Sequence, residues 1–317
     1  MTKLRCAVIG VGYLGRFHAQ KYAQIASLEL VGVYDLSTEQ AQLVAHELNV
    51  QCFIDLHQLI DEVDAVSIAA STIAHYEIAK LCIQKGVHVL IEKPITLHLQ
   101  EGKELVQLAK EKQVVLQVGH LERFNPAYQT FQHHLQQPLW IEMQRLAPFK
   151  KRGSDADVIL DLMIHDLDIL LSWIDSPVVD IQAQGFSMMT SAVDLATVVI
   201  KFKNACIANL TASRVHSKVE RITRVYQEQD YFVLNYQEQQ LTRYIAKPMA
   251  YDHSFLSEEA ILCQKHDALY AQVESFIEAI HGRGPVMVDG ESGLKALELA
   301  LKIQSMIHSH VKEVHFV

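Results

Sequence analysis

Leu4-Arg5-Cys6-Ala7-Val8-Ile9-Gly10-Val11-Gly12-Tyr13-Leu14-Gly15 is an apolar run that ends in three glycines at G-x-G-x-x-G spacing. The run reads as a buried strand, and the amphipathic stretch 14–26 reads as the helix that the glycines lead into. Gly10 permits a tight turn, Gly12 lets the backbone approach a pyrophosphate, and Gly15 lets helix and strand pack closely. The helix start, at Tyr13 and Leu14, adds N–H donors and the positive end of a dipole. Twenty residues after Gly15, Asp35 ends the next apolar run, where a carboxylate accepts hydrogen bonds from an adenosine ribose diol. Asp35 also repels a 2′-phosphate, and Leu36, Ser37 and Thr38 offer no arginine to receive one, so NAD is expected over NADP. The plain alternative is a glycine-rich turn that holds nothing.

The same alternation continues outward from this turn. Strand-like runs at 4–9, 28–34, 65–69, 87–91 and 114–118 are separated by helical stretches at 14–26, 38–47, 74–85 and 99–112. That rhythm predicts parallel βαβ units in a doubly wound, Rossmann-like α/β domain over 1–120, with its ligand site beyond the carboxyl ends of the strands. After about Leu121 the rhythm changes. Runs at 192–202, 206–213, 220–227, 231–236 and 240–245 are β-rich with short polar breaks, which predicts an antiparallel meander with hairpins at 203–204 and 228–230. Helices are expected at 156–174, 258–281 and 290–310. The second domain, 121–317, is therefore α+β with a large, mainly antiparallel sheet, and is assigned substrate binding and oligomerisation.

Composition narrows the class. Of 317 residues, half are hydrophobic and 21% charged, which fits a globular chain and not a disordered one. Twenty-eight basic against thirty-seven acidic residues give −9, so nucleic acid and anionic membranes are not expected partners; the one basic group is Lys150-Lys151-Arg152. No apolar stretch approaches the 18 or so residues of a membrane span, and the first residues run straight into a strand, so a cytoplasmic location is expected. Five cysteines without a C-x-x-C pair predict reduced core thiols, and seventeen scattered histidines without ligand spacing predict no metal site.

Two further motifs carry chemistry. Glu92-Lys93-Pro94 follows the run 87–91, and the proline keeps Lys93 extended at a strand's carboxyl end, where sites in such sheets lie. An ordinary surface lysine is the alternative. Asp161-Leu162-Met163-Ile164-His165 falls in the expected helix 156–174, where a spacing of four lets Asp161 orient His165, a base suited to a hydroxyl proton near neutral pH. A helix-surface ion pair is the alternative there. Asp166 and Asp168 are caps, solvated charges or orienters.

In this order on such a chain, the glycine turn, Glu92-Lys93-Pro94 and Asp161 with His165 resemble the Gfo/Idh/MocA family of sugar and cyclitol oxidoreductases, over nearly the whole length. The resemblance implies that Lys93, Asp161 and His165 converge on the reacting carbinol as catalytic and substrate-binding residues. It also implies that Ser71, Thr72, His75 and Glu92 join Lys93 at the cofactor, His75 on the nicotinamide side or as a structural helix-start histidine. Gly15-Arg16-Phe17-His18-Ala19-Gln20 and Gly119-His120-Leu121-Glu122-Arg123-Phe124-Asn125-Pro126-Ala127 are similar to the MviM-like branch, which oxidises C3 of UDP-N-acetylglucosamine on the way to the 2,3-diamino sugars of lipid A. Tyr13 stands where that branch leads one to expect histidine, and Leu162-Met163-Ile164 replace glycines common among relatives.

Arg123 and Asn125 are then expected at the substrate, Arg123 as a bidentate cation for a diphosphate, with a junction-pinning role as the alternative. Lys150, Lys151 and Arg152 form a second cationic group. The expected activity is NAD-dependent oxidation of a sugar hydroxyl by a homodimer or homotetramer built on the second domain's sheet. The alternatives are another nucleotide sugar, a free sugar or cyclitol as substrate, or an NAD(H)-binding regulator without turnover.

Overall fold

In the computed structural model, which describes residues 3–150, 156–246 and 256–311, the chain divides into two compact units. Unit 1 is Met1–Leu121 with Asp267–Leu297, and unit 2 is Glu122–His266 with Glu298–Val317.

Unit 1 alternates strands and helices in chain order: β1 (Leu4–Ile9), α1 (Tyr13–Gln24), β2 (Leu28–Tyr34), α2 (Thr38–Leu48), β3 (Gln51–Phe53), α3 (Leu56–Asp61), β4 (Ala65–Ile68), α4 (Thr72–Gln84), β5 (His88–Glu92), α5 (Leu99–Lys112) and β6 (Leu116–Gly119). The strands lie in the order β3-β2-β1-β4-β5-β6, and every neighbouring pair is parallel. Chain direction across the sheet reverses beside β1, so the crevice between β1 and β4 is the switch point where such sheets bind ligands. Ala7, Val8 and Ile9 are buried on both faces of the sheet, which explains their uninterrupted apolar run.

Unit 2 continues with a 3₁₀ turn (Leu121–Phe124), α6 (Pro126–Phe131), β7 (Trp140–Leu146), a π-helical turn (Ile159–Met163), α7 (Ile164–Trp173), β8 (Val178–Phe186), β9 (Leu195–Phe202), β10 (Ile207–Ser213), β11 (Glu220–Tyr226), β12 (Asp230–Asn235), β13 (Gln240–Ala246) and β14 (Leu256–Ile261). Its eight strands run β14-β13-β12-β11-β7-β10-β9-β8. Both expected hairpins are present, joining β9 to β10 and β11 to β12. The sheet departs from a pure meander because β7 inserts between β11 and β10 and runs parallel to β10.

Two helix expectations need correction. The stretch 258–261, expected to open the helix 258–281, pairs with β13 as part of the edge strand β14; α8 (Ala268–Ile280) starts only after Asp267, whose carboxylate caps Leu269 and Tyr270. Cross-strand pairing overrides helix propensity there. The expected helix 156–174 begins as the π turn and becomes α-helical at Ile164.

The division expected at residue 120 also misses a return of the chain. Val273, Phe276 and Ile277 of α8 pack into one apolar cluster with Cys6, Ala19 and Tyr22, so α8 completes the core of unit 1. The last helix, α9 (Gly290–Val311), begins there too: Val118 donates its N–H to the Val288 carbonyl at 2.9 Å. None of the five cysteines is in a disulfide, and all but Cys52 are buried. Among the described residues no helix is long and apolar enough to cross a membrane, and no group of three His, Cys, Asp or Glu side chains could hold a metal ion.

Candidate active site

The glycine turn is built from contacts that forbid side chains. Gly10 has φ +83°, and a Cβ there would lie 2.5 Å from the Ala70 backbone. A Cβ on Gly15 would collide with the Gly10 carbonyl, whereas Gly12 faces open space. Gly12 is also the N-cap of α1 and makes no side-chain cap bond, so the positive end of the helix dipole faces the turn without a capping side chain. Asp35 braces the turn: it accepts from the Val11 N–H at 2.8 Å and from the Ser37 N–H at 2.9 Å. A carboxylate accepts about four hydrogen bonds, so capacity for a ribose diol remains.

A cavity of about 420 Å³ opens beside this turn, lined among others by Gly10, Gly12, Asp35, Leu36, Ala70 and Ser71. The α4 N-terminus begins at its wall, with N-cap Ser71 making no side-chain cap bond. Two helix N-termini, glycine backbone and a carboxylate on the second strand fit the pyrophosphate and adenosine ribose of a dinucleotide. Of the expected cofactor residues, Gly10, Gly12, Asp35 and Ser71 therefore share one cavity wall, while Tyr13, Leu14, Gly15 and Thr72 belong to the helix starts that flank it. Tyr13 is exposed and meets Phe17 edge to face at 5.2 Å.

Lys93 follows β5 and is half-buried. Its neighbours are fully engaged. Glu92 lies 3.1 Å from His18 Nε2, and His18 Nδ1 lies 3.1 Å from the Ser67 hydroxyl, which bonds the Tyr22 hydroxyl at 3.0 Å. His75, expected on the nicotinamide side, is buried with Nδ1 at 2.9 Å from the Pro94 carbonyl and Nε2 at 3.1 Å from the Ala70 carbonyl. Burial holds its imidazole below the usual histidine range, against the pull of those two carbonyls and of Glu92.

In unit 2, Asp161 lies in the π turn and His165 in the first turn of α7, both half-buried. Such π turns recur at functional sites. Beneath them the polar residues are buried. Arg145 donates to Asp166 at 2.7 Å and to Glu122 at 2.8 Å, and although burial opposes its charge, these two carboxylates raise its pKa above the usual arginine value.

Two further residues expected at the substrate, Arg123 and Asn125, are engaged within the unit. Arg123 is 8% exposed, 3.9 Å from Asp168 and stacked over the Tyr128 ring at 5.4 Å. Asn125 caps α6 through Ala127 N–H and donates to the Tyr236 carbonyl at 2.9 Å. Lys150 is exposed; Lys151 and Arg152 lie outside the described residues. Sequence reasoning missed the anchoring of Glu92 by His18, although His18 stands in the stretch 15–20 that carried the branch resemblance.

A parallel sheet with a dinucleotide cradle, followed by an α+β unit with a large sheet, is the architecture of a two-domain nicotinamide oxidoreductase. Residues 4–120 match the model of the oxidoreductase family with the NAD-binding Rossmann fold, and residues 128–232 match that of the GFO/IDH/MocA C-terminal domain. UDP-N-acetylglucosamine 3-dehydrogenase of Acidithiobacillus ferrooxidans is 40% identical over 98% of this chain and 100% of its own length. The solved structure of that enzyme, GnnA, superposes with a TM-score of 0.91, covering 98% of this chain and 99% of the other. The NAD(+)-dependent scyllo-inositol 2-dehydrogenase of Bacillus subtilis is 26% identical over 90% of this chain and 89% of its own. The chain belongs to the Gfo/Idh/MocA family of oxidoreductases.

Proposed function

We propose that this protein oxidises the C3 hydroxyl of UDP-N-acetylglucosamine to the ketone with NAD as cofactor. The observation that carries the reading is the 40% identity, over nearly all of both chains, to an enzyme named for that activity. Asp35 supports NAD over NADP through its charge beside the ribose position. Bound NAD+ supplies the hydride acceptor. In this reading His165 takes the hydroxyl proton, Asp161 orients and charge-stabilises the imidazole, and Lys93 polarises the oxygen and stabilises negative charge developing on it. In this reading the protein acts in the cytoplasm, in the supply of 2,3-diamino sugars for lipid A.

The reading extends to a homo-oligomer formed on unit 2's sheet. One face of that sheet is buried through Ala196, Val198, Ile200, Leu210 and Met143. The other carries Tyr226, Tyr231 and Tyr244 stacked ring on ring at 5.0 and 4.7 Å, together with exposed Trp140. Aromatic residues in such a patch are favoured at protein interfaces.

The test is turnover by purified protein with NAD+ and UDP-N-acetylglucosamine, free N-acetylglucosamine or myo-inositol, followed by NADH absorbance. NADH from the nucleotide sugar, with little from the other two, supports the reading, because free sugar forfeits the remote binding energy of the UDP group. NADH from inositol or free sugar alone replaces the substrate and leaves family and cofactor class standing. NAD(H) binding without turnover on any carbinol makes the protein a regulator.

A further inference from the structure

Lys93 is flanked by two residues that are each held by a buried histidine from a different helix. On its N-terminal side, the Glu92 carboxylate lies 3.1 Å from Nε2 of His18 on α1. That ring is anchored in turn, since its Nδ1 meets the Ser67 hydroxyl of β4 at 3.1 Å, and Ser67 bonds Tyr22 one turn further along α1. On the C-terminal side, the Pro94 carbonyl lies 2.9 Å from Nδ1 of His75 on α4, whose Nε2 reaches the Ala70 carbonyl just after β4. Both imidazoles are 1% exposed. Gly119 closes a third side. It stands opposite Glu92 in the β5–β6 register, and a Cβ there would lie 2.5 Å from the Glu92 carboxylate oxygen.

We infer that His18 and His75 are positioning residues that fix the Lys93 ammonium for the reaction by holding Glu92 and Pro94. The inference rests on the reading of Lys93 given above and adds two residues to it. A buried polar side chain costs stability unless it is hydrogen-bonded, so a buried imidazole is held by the partners it finds. His18 meets a hydroxyl and a carboxylate, and His75 lies between two carbonyls, to one of which its neutral ring donates; the groups that the two rings touch bracket one half-buried lysine, and together they make a mount for it. Without this mount the lysine loses its place, and a displacement of about 1 Å costs on the order of 10²-fold in rate. His75 also lies between the end of β4 and the segment after β5, its ring 3.1 Å from the Ala70 carbonyl and 2.9 Å from the Pro94 carbonyl, so the cofactor cavity wall at Ala70 and Ser71 and the lysine segment rest on one imidazole.

The test compares kcat and KM for the nucleotide sugar in His18→Leu and His75→Leu with those in His18→Gln and His75→Asn, which keep a side-chain N–H donor. Each leucine variant is expected to lose about 10- to 100-fold in kcat, with KM changed by less than about threefold, and the amide variants to recover most of that loss. Each substitution is repeated in Lys93→Met. A positioning role predicts almost no further loss there, because residues acting as one unit are strongly non-additive, whereas a general packing role removes the same factor again.

Wild-type kcat in both folded leucine variants, or full additivity with Lys93→Met, overturns the inference. If the leucine variants do not fold, the amide variants decide it by the same additivity criterion. Wild-type turnover in Lys93→Met alone removes the reading of Lys93 itself, which is a different failure from a silent His75→Leu in an enzyme that needs Lys93.

Discussion

Asp35 Oδ2 accepts the Val11 N–H at 2.8 Å, so the carboxylate expected to hold the adenosine ribose also holds the glycine turn in shape. Gln40 completes the brace by donating to the Val11 carbonyl at 2.9 Å. One side chain thereby ties the end of β2 to the turn after β1.

The first prediction concerns cofactor choice. A 2′-phosphate beside Asp35 costs about 2 kcal/mol, so kcat/KM should favour NAD over NADP by roughly thirtyfold. Asp35→Ala should narrow that gap and also raise KM for NAD itself, since the turn loses its brace. Equal kcat/KM values for the two cofactors in the unmodified enzyme would refute the assignment.

The second concerns proton transfer. Lys93→Met and His165→Asn should each lower kcat by about 10²- to 10⁴-fold, the usual contribution of acid–base and charge-stabilising groups. Both variants should bind NAD as before, because neither residue lines the cavity beside the glycine turn. Equilibrium binding and single-turnover measurements separate the two effects. Wild-type turnover in either folded variant means that the chemistry lies elsewhere.

Much of unit 1 was legible because its signals are local. Gly10, Gly15 and Asp35 are constrained by contacts that their residue types and spacing announce, and strands buried on both faces read as continuous apolar runs. Unit 2 was less legible where pairing partners are distant in sequence. Nothing within 256–261 reveals β13 as a partner, and nothing near Trp140 announces that β7 lies between β10 and β11. The return of α8 to the first core is likewise a long-range contact. The motif residues Lys93, Asp161 and His165 were singled out by type and spacing together with the family resemblance. The partners of Arg123 and His75 were not, because a buried ion pair and a pair of carbonyl contacts leave no periodic trace.

The third prediction is one of stability and pH. Asp194 is fully buried and accepts from the N–H groups of Met188, Met189 and Thr190 and from the Thr190 hydroxyl, with Arg214 Nε at 3.1 Å. Burial raises its pKa, but these donors outweigh it and leave the carboxyl below the usual range. A depressed carboxylate pKa adds stability above the unfolded value of about 3.9, and that stability is lost as pH falls through the folded value. Asp194→Asn should therefore cost about 2–3 kcal/mol at pH 7, and the deficit should shrink in acid. Thermal melts of both proteins from pH 7 to pH 3 check it; a deficit independent of pH would contradict it.

The fourth concerns assembly. If the tyrosine-bearing face of the unit 2 sheet pairs with a second copy, light scattering should return at least twice the mass of one chain at micromolar concentration. Tyr231→Glu places a charge in the middle of the stack and should reduce that mass. A single-chain mass for the unmodified protein would remove the proposal.

The last prediction separates two roles for Arg123. A guanidinium that receives a diphosphate presents its N–H fork to the ligand, whereas Arg123 is 8% exposed, lies 3.9 Å from Asp168 and covers the Tyr128 ring. Removing one partner of a buried charge pair leaves the other uncompensated, at a cost of about 3 kcal/mol. Arg123→Ala should therefore lower Tm by about 5–10 °C and change KM for UDP-N-acetylglucosamine by less than about threefold. Asp168→Asn should lower Tm in the same direction, and the double variant should cost less than the sum, since each single change strands the other's charge. The opposite pattern, an unchanged Tm with KM for the nucleotide sugar raised tenfold or more and KM for NAD unaffected, would assign Arg123 to the substrate diphosphate.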